Sequence, residues 1–211
     1  MSAITHHTPD GMLAAYAAGS LPQPFALVVA SHVSLCVQCR VALEAHQSAG
    51  GAVLETVDAV ALSGSVKADI LAQLDAPFTS EPVQKRSGIY PGPVMEVLKG
   101  RAPKWKSLGA GVRQDILTAD ETGSVRLIYI PPGQAVPDHG HNGLELTLVL
   151  QGSFTDETGV FGVGDLEVAD EELDHTPVAG PGDACICLAA TDAPLHFRAL
   201  LPRLLQPLFR I

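Results

Sequence analysis

Residues 32–39 read His-Val-Ser-Leu-Cys-Val-Gln-Cys and bring three potential metal ligands, His32, Cys36 and Cys39, close together. On a continuous helix their spacing of i, i+4 and i+7 places all three on one face. Even with a helix break before Cys36, a Cys-x2-Cys pair can hold one ion through both sulfurs. The alternative is two small buried cysteines and a surface histidine. A histidine in register with Cys-x2-Cys favours the metal site.

A structural zinc site normally has four ligands, so one ligand must come from elsewhere in the chain. The sequence begins with a pair of histidines, His6 and His7, and either could be the fourth ligand. The spacing alone does not separate them.

Residues 1–75 are predicted to form a small helical unit. Capping residues and prolines begin helices near residues 8–10 and 22, and glycines end them. We expect helices at about 10–18, 22–34, 37–48 and 65–74. The last of these is amphipathic, with Val66, Ile70, Leu71 and Leu74 on one side. So small a core often needs an additional crosslink, which a zinc ion would supply.

The remainder of the chain is predicted to be a linker followed by a β domain. Residues 76–104 are rich in proline and glycine, which is typical of a linker. Short β-type runs separated by turn residues then favour an all-β sandwich or barrel. These runs are 112–117, 125–130, 147–150, 160–163, 184–188 and 195–201. We therefore predict an α + β two-domain protein, with a helical domain at 1–85, a linker at 86–104 and a β domain at 105–211.

The β domain contains a second group of potential metal ligands. His139 and His141 are two residues apart, so on a strand they point the same way. Glu145 follows a turn at Asn142-Gly143 and begins the next strand, and a later histidine, His175, should complete the set. Two imidazoles and a carboxylate that converge from adjacent strands form a site for a first-row metal. The alternative is that these histidines are unrelated.

Charge and hydropathy exclude several classes of partner. The formal net charge is −10 and no basic patch is present, which disfavours direct binding to DNA or RNA. We see no secretory leader, and the longest apolar stretch, at 25–37, is too short to span a bilayer. The four cysteines fall in two close pairs, which does not suggest a disulfide framework. We expect a cytoplasmic protein in a reducing compartment.

Two parts of the sequence resemble known families. Residues 133–152, with Gly133, His139, His141, Glu145 and Gly152, resemble the first cupin motif, and Gly164-Asp165 with His175 represents the second. The second motif departs from the usual pattern because Asp-Glu-Glu at 170–172 stands where Pro-x-Gly is expected. His-x3-Cys-x2-Cys after an N-terminal histidine resembles the zinc anti-sigma domain. Both modules in this order resemble the ChrR-type anti-sigma factors, as do stretches 143–152, 185–194 and 206–211.

This resemblance implies a function. The helical domain would bind one extracytoplasmic-function sigma factor, 1:1, and keep it from RNA polymerase. It would hold Zn²⁺ through His7, His32, Cys36 and Cys39, with His6 as the alternative to His7. A cupin β-barrel (a double-stranded β-helix) would hold zinc or another first-row metal through His139, His141, Glu145 and His175. It would release the sigma factor under an oxidative signal such as singlet oxygen.

The resemblance predicts a regulator rather than an enzyme. The rival reading is a metal-dependent cupin enzyme, dioxygenase-like, with a helical interaction domain. A metabolic cupin has no need of the N-terminal Cys/His motif, which favours the regulator.

Overall fold

The computed structural model describes residues 3–74, 77 and 83–197. Five helices lie in the first half of this part of the chain. They are α1 (Asp10–Ala17), α2 (Gln23–Leu35), α3 (Val37–Leu54), α4 (Val66–Leu74) and α5 (Gly92–Leu98). The helix predicted to end near Gly50 continues through both glycines to Leu54. Glycine lowers helix propensity without forbidding a helix.

Helix α2 is apolar over most of its surface because other elements cover most of that surface. Pro24 lies in its first turn, where a missing N–H costs nothing. Phe25, Val28 and Val29 are almost completely buried. The helix packs against α1, α3 and α5 and against one face of the main sheet. A helix that is hydrophobic over most of its surface is expected to be a core helix, and this one is.

The chain turns sharply between α2 and α3. Cys36 has an extended backbone with φ −99° and ψ 111°, and it ends one helix and begins the next. The two helix axes are bent by 117° at this point. No single helix among the described residues is long and apolar enough to cross a membrane. Taken together, α2 and α3 have the required length and composition, but they are bent at Cys36. The break predicted as one option before Cys36 therefore occurs, and it turns the cysteine sulfurs towards His32.

The β region consists of twelve strands within the described residues, arranged in three antiparallel sheets. The main sheet has the order β1-β2-β3-β11-β5-β8, and two small sheets have the orders β10-β6-β7 and β12-β4-β9. Their bounds are β1 Lys106–Gly109, β2 Val112–Asp120, β3 Gly123–Ile130, β4 His139–His141, β5 Glu145–Gln151, β6 Ser153–Thr155, β7 Val160–Gly162, β8 Leu166–Ala169, β9 Asp174–His175, β10 Val178–Ala179, β11 Cys185–Thr191 and β12 Leu195–Phe197.

All six predicted β runs contain a strand, although residues 198–201 of the last run lie outside the described part of the chain. The predicted β domain also extends to 211, and its residues 198–211 are not described either. The described strands pair into three sheets, and hydrogen bonding among them does not join the sheets into one closed barrel.

Both faces of the central part of the main sheet are covered, which explains why its central strands are mostly apolar. Side chains alternate along a strand. In β5, Leu146, Leu148 and Leu150 join the core that contains the helices, whereas Val149 joins a second core between the sheets. Two stacked phenylalanines, Phe154 and Phe161, close this second core.

The helices and the main sheet share one hydrophobic core. Part of the predicted linker 86–104 belongs to it: α5 buries Val94, Met95 and Leu98 among residues of α2 and the sheet. At least the part of the segment that forms α5 is therefore packed into the core. Some of its prolines and glycines flank this helix: Pro91 caps its start and Gly100 follows its end.

Helix α4 behaves differently from the other helices because none of its residues is buried. Ile70, Leu71 and Leu74 are all more than half exposed. The amphipathic pattern correctly predicts the helix, but its apolar side faces solvent.

Replacing Leu98 by alanine should lower the free energy of unfolding by about 2–5 kcal/mol, because Leu98 is fully buried in the shared core. Leu74→Ala on α4 is the matched control and should change it by less than about 0.5 kcal/mol, since Leu74 is 74% exposed. Denaturant unfolding checks both. A small loss for Leu98→Ala would show that α5 is not part of the core.

Candidate metal centres

The structure brings His7, His32, Cys36 and Cys39 together, with one ligand atom from each within 4.8 Å of all the others. Nδ1 of His7 lies 3.3 Å from Sγ of Cys36 and 3.7 Å from Sγ of Cys39. Nε2 of His32 lies 3.2 Å from Sγ of Cys39. A tetrahedral zinc ion separates a nitrogen ligand from a sulfur ligand by roughly 3.6 Å. The cluster is therefore already at the spacing of a metal site.

The other nitrogen of His32 is held by the β domain. Nδ1 donates to the backbone carbonyl of Gly164 at 2.9 Å, which leaves Nε2 unprotonated and directed at Cys39. This is the arrangement in which an outer hydrogen bond fixes the tautomer of a metal-binding histidine. Burial lowers the pKa of His32 to about 4, so the imidazole is neutral and able to bind a metal at physiological pH.

Burial also raises the pKa of Cys39, with the nearby Cys36 adding to the effect. Without a cation, this raised pKa keeps the Cys39 thiol protonated. A bound divalent cation would be needed to hold both sulfurs as thiolates.

The structure separates the two N-terminal histidines. His6 points away from the sulfurs: its ring lies 4.3 Å from that of Phe161, and its Nδ1 is 3.5 Å from Oδ1 of Asp165. His7 is the one brought into the Cys/His cluster.

In the β domain, His139, His141 and His175 converge. Nε2 of His175 lies 3.2 Å from Nε2 of both His139 and His141. Strands β4 and β9 pair so that His139 is directly opposite His175. The two residues of β4 share a face as their i, i+2 spacing predicts. All three side chains are almost completely buried.

Two of these histidines also have their second nitrogen fixed. Nδ1 of His139 donates to the carbonyl of Pro137 at 2.8 Å, and Nδ1 of His175 donates to Oδ2 of Asp156 at 2.7 Å. For His139, whose pKa is lowered by burial, this leaves Nε2 unprotonated and directed at the common point; Nε2 of His175 faces the same point. Nδ1 of His141 has no hydrogen-bond partner in the described structure.

Glu145, predicted as the fourth ligand, lies beside the three histidines without joining their cluster of ligand atoms. Its Oε2 is 3.7 Å from Nδ1 of His141, and its Oε1 accepts from the hydroxyl of Thr147. Coordination by Glu145 stays a prediction, which would require its carboxylate to turn towards the Nε2 atoms.

Two carboxylates that the sequence reading missed, Asp156 and Glu167, lie behind His175. Oε1 of Glu167 is 3.3 Å from Nδ1 of His175. Burial raises the pKa of Glu167 to about 8. Burial would lower the pKa of His175, but its contacts with Glu167 and Asp156 raise it to about 9. No spacing in the sequence relates Asp156 or Glu167 to His175, so the sequence held no signal that could have found them.

A cavity of about 430 Å³ opens beside the three histidines. Its walls are mainly apolar, and they include Ile128, Val136 and Phe154. The guanidinium of Arg126 also lines it, is almost completely buried, and donates to Gln114 and Ser124. Such a cavity next to convergent polar groups is the usual form of a small-molecule site.

The Cys/His cluster of the helical unit and the three-histidine cluster of the β region are both groups that could hold a metal ion. Residues 95–194 match the family model of the ChrR cupin-like domain. The anti-sigma-E factor ChrR of Cereibacter sphaeroides is 52% identical over 211 residues, which is 99% of each chain. The crystal structure of Rhodobacter sphaeroides SigE in complex with the anti-sigma ChrR matches with a TM-score of 0.81 and 51% identity, covering 90% of this chain and 99% of that one.

The chain belongs to the ChrR family of anti-sigma factors. The β region accordingly has the cupin fold that the two motifs predicted.

Cys36→Ala should remove one equivalent of bound metal from the full-length protein, because it deletes one of two sulfur ligands in the cluster. His46→Ala is the matched control: His46 lies on the next helix and bonds Asp10, outside the cluster. Metal analysis after extensive dialysis measures both. Equal metal content in wild type and Cys36→Ala would contradict binding at this site.

Proposed function

We propose that this chain is an anti-sigma factor that binds one extracytoplasmic-function sigma factor and keeps it from RNA polymerase in the cytoplasm. The observation that carries the proposal is 52% identity over 99% of the chain to an anti-sigma factor, together with the Cys/His cluster that the structure assembles. The 51% identical ChrR chain was crystallised with SigE, which supports a sigma factor as the partner.

The surface of the helical unit suits such a partner. The end of α3, the segment after it and α4 expose apolar side chains that a monomeric protein normally covers. They are Val53, Leu54, Val57, Val60, Leu62, Ile70, Leu71 and Leu74. Apolar side chains at the centre of an interface are typical of protein–protein contacts. The net charge of −10 favours a basic partner over nucleic acid.

The ion in the Cys/His cluster is proposed to be Zn²⁺. Two sulfurs and two imidazole nitrogens form a closed tetrahedral donor set, which is the usual composition of structural zinc sites. His32, Cys36 and Cys39 are all buried, so no position is left open for a substrate. Zinc there would fix the angle between α2 and α3 and thereby the partner surface.

The cupin domain is proposed to receive an oxidative signal, such as singlet oxygen, and to release the sigma factor in response. Its three histidines would hold zinc or another first-row metal, with Glu145 turning in as the fourth ligand. Zinc supplies no redox chemistry of its own. An oxidant would therefore act on the imidazole ligands or bind at the metal, and this role needs no catalytic turnover.

The cavity favours a second candidate, a metal-dependent enzyme. A volume of about 430 Å³ beside three convergent histidines is sufficient for a small substrate. This candidate predicts turnover of a small molecule by the metal-loaded protein. It leaves the Cys/His cluster and the exposed apolar side chains unexplained, which is why we favour the regulator.

Cys36→Ala should lose the sigma factor. Co-expressed with an extracytoplasmic-function sigma factor of the same organism, the wild-type chain should co-purify with it in a 1:1 complex, and Cys36→Ala should not. The reason is that the cluster sets the α2–α3 angle. His46→Ala should retain the complex. Absence of any complex with the wild-type chain would refute the proposed function.

His141→Ala should retain inhibition and lose the response to the signal, because His141 lies in the β-domain cluster and its loss leaves the exposed apolar side chains of α3 and α4 in place. A sigma-dependent reporter, with and without singlet oxygen, measures both properties. His196→Ala is the matched control, since His196 is exposed on β12. Normal induction in His141→Ala, with metal absent from the β domain, would contradict the sensing role.

A further inference from the structure

The turn between β7 and β8, residues 162–166, holds the N-terminal segment that leads to His7. Oδ1 of Asp165 accepts the backbone N–H of Thr5 at 2.7 Å and that of His6 at 2.9 Å. Oδ2 of Asp165 accepts the N–H of Gly162 at 2.8 Å. The carbonyl of His6 in turn accepts the N–H of Leu166 at 3.2 Å. One carboxylate therefore joins the turn to two consecutive residues some 160 positions away.

The backbone of the turn fits closely against this segment. Gly164 has φ +94°, in the region that favours glycine. A Cβ at this position would lie 2.6 Å from Cδ1 of Ile4. Because Gly164 has no side chain, Ile4 can pack directly against the backbone of the turn.

The same turn also contacts a second member of the Cys/His cluster. The carbonyl of Gly164 accepts from Nδ1 of His32 at 2.9 Å. Two successive residues of the β domain thus hold two ligands from different parts of the chain: Gly164 holds His32 directly, and Asp165 holds the two residues before His7.

The charge of Asp165 is stabilised by this arrangement. Burial would raise its pKa, but the N–H groups of His6, Gly162 and Thr5 outweigh burial and lower it. The carboxylate is therefore ionised, and bonds from N–H groups to an ionised acceptor are about twice as strong as neutral ones. The N-terminal segment supplies two of these three donors.

We propose that Asp165 is a positioning residue for the metal site of the helical unit: through Thr5 and His6 it places His7 against Cys36 and Cys39. This inference rests on the metal site of the proposed function. It adds that the β domain completes that site. Without the Asp165 contact, the segment before His7 loses two backbone hydrogen bonds to the turn, which no longer offset the conformational entropy that ordering the segment costs.

The proposal also connects the two metal centres through strand β8. Asp165 immediately precedes β8, and Glu167, the second residue of the strand, contacts His175. A change at His175 that displaces Glu167 would also displace β8. The first residue of β8 directly follows Asp165, so the contact of Asp165 with the N-terminal segment would be disturbed. This gives a physical route from the β-domain cluster to His7.

The test uses the full-length protein with Co²⁺ as the probe. Cobalt bound by thiolates absorbs in the near ultraviolet through sulfur-to-metal charge transfer, which the three-histidine cluster cannot produce. Titration against a competing chelator then gives the affinity of the Cys/His site alone. The pair Asp165→Asn and Asp183→Asn compares the contact residue with an exposed aspartate. Asparagine replaces one accepting oxygen by an N–H₂ group, so it cannot accept from both the segment and Gly162.

A second pair of variants leaves the β domain unaltered. Thr5→Pro removes the N–H that Asp165 accepts, and Thr5→Ser keeps both the N–H and the hydroxyl. We expect Asp165→Asn and Thr5→Pro to weaken cobalt binding at the Cys/His site by roughly tenfold or more, as loss of an outer-sphere partner does. Asp183→Asn and Thr5→Ser should match the wild type.

Unchanged affinity in Thr5→Pro and Asp165→Asn would overturn the proposal and show that the helices alone place His7. A wild-type protein without the thiolate–cobalt absorption would refute both the metal site and the positioning role. Failure of the sigma factor to bind, with the expected affinity losses present, would refute the proposed function and leave the positioning role intact.

Discussion

The contact on which the arrangement depends is made by the buried side chain of His32. One ring nitrogen faces Cys39 at 3.2 Å and the other donates to the carbonyl of Gly164 at 2.9 Å. A neutral imidazole can do this only as the Nδ1–H tautomer, so the β domain determines which nitrogen is available to a metal. A helix residue thus has its chemistry set by a turn more than a hundred residues later in the sequence.

The shared core gives this contact its rigidity. α2 carries His32 and packs directly on the main sheet, while α5 fills the space beside it with Val94 and Leu98. The Cys/His cluster therefore lies where the helical unit meets the β domain rather than at a free end of a small bundle. The partner surface proposed on α3 and α4 extends away from this junction. The partner surface is exposed while the cluster is rigidly held. This arrangement suits a protein that keeps its partner bound until the contacts at the junction are disturbed.

Much of this could be predicted from local pattern. The His-x3-Cys-x2-Cys spacing predicts three of the four residues that the structure brings together in the helical unit, and His-x-His on a strand predicts two of the three in the β domain, because both patterns are local. The spacing alone did not separate His6 from His7, and only the family resemblance favoured His7, because the difference between them depends on Asp165, a long-range partner. Asp156 and Glu167 were missed because carboxylates behind a ligand leave no spacing signal. The Pro/Gly pattern of 86–104 did not reveal how closely α5 packs on the core, because prolines at a helix start resemble those of a loop.

Hydrogen exchange of the full-length protein tests the central claim that the helical unit and the β domain share one junction at the Cys/His cluster. Peptides covering residues 3–9 and 160–168 are compared before and after metal is removed by a thiol-specific reagent. The account predicts that both peptides lose protection together, because residues 4–6 and the turn at 162–166 bond each other. Loss of protection confined to residues 3–39, with 160–168 unchanged, would contradict it.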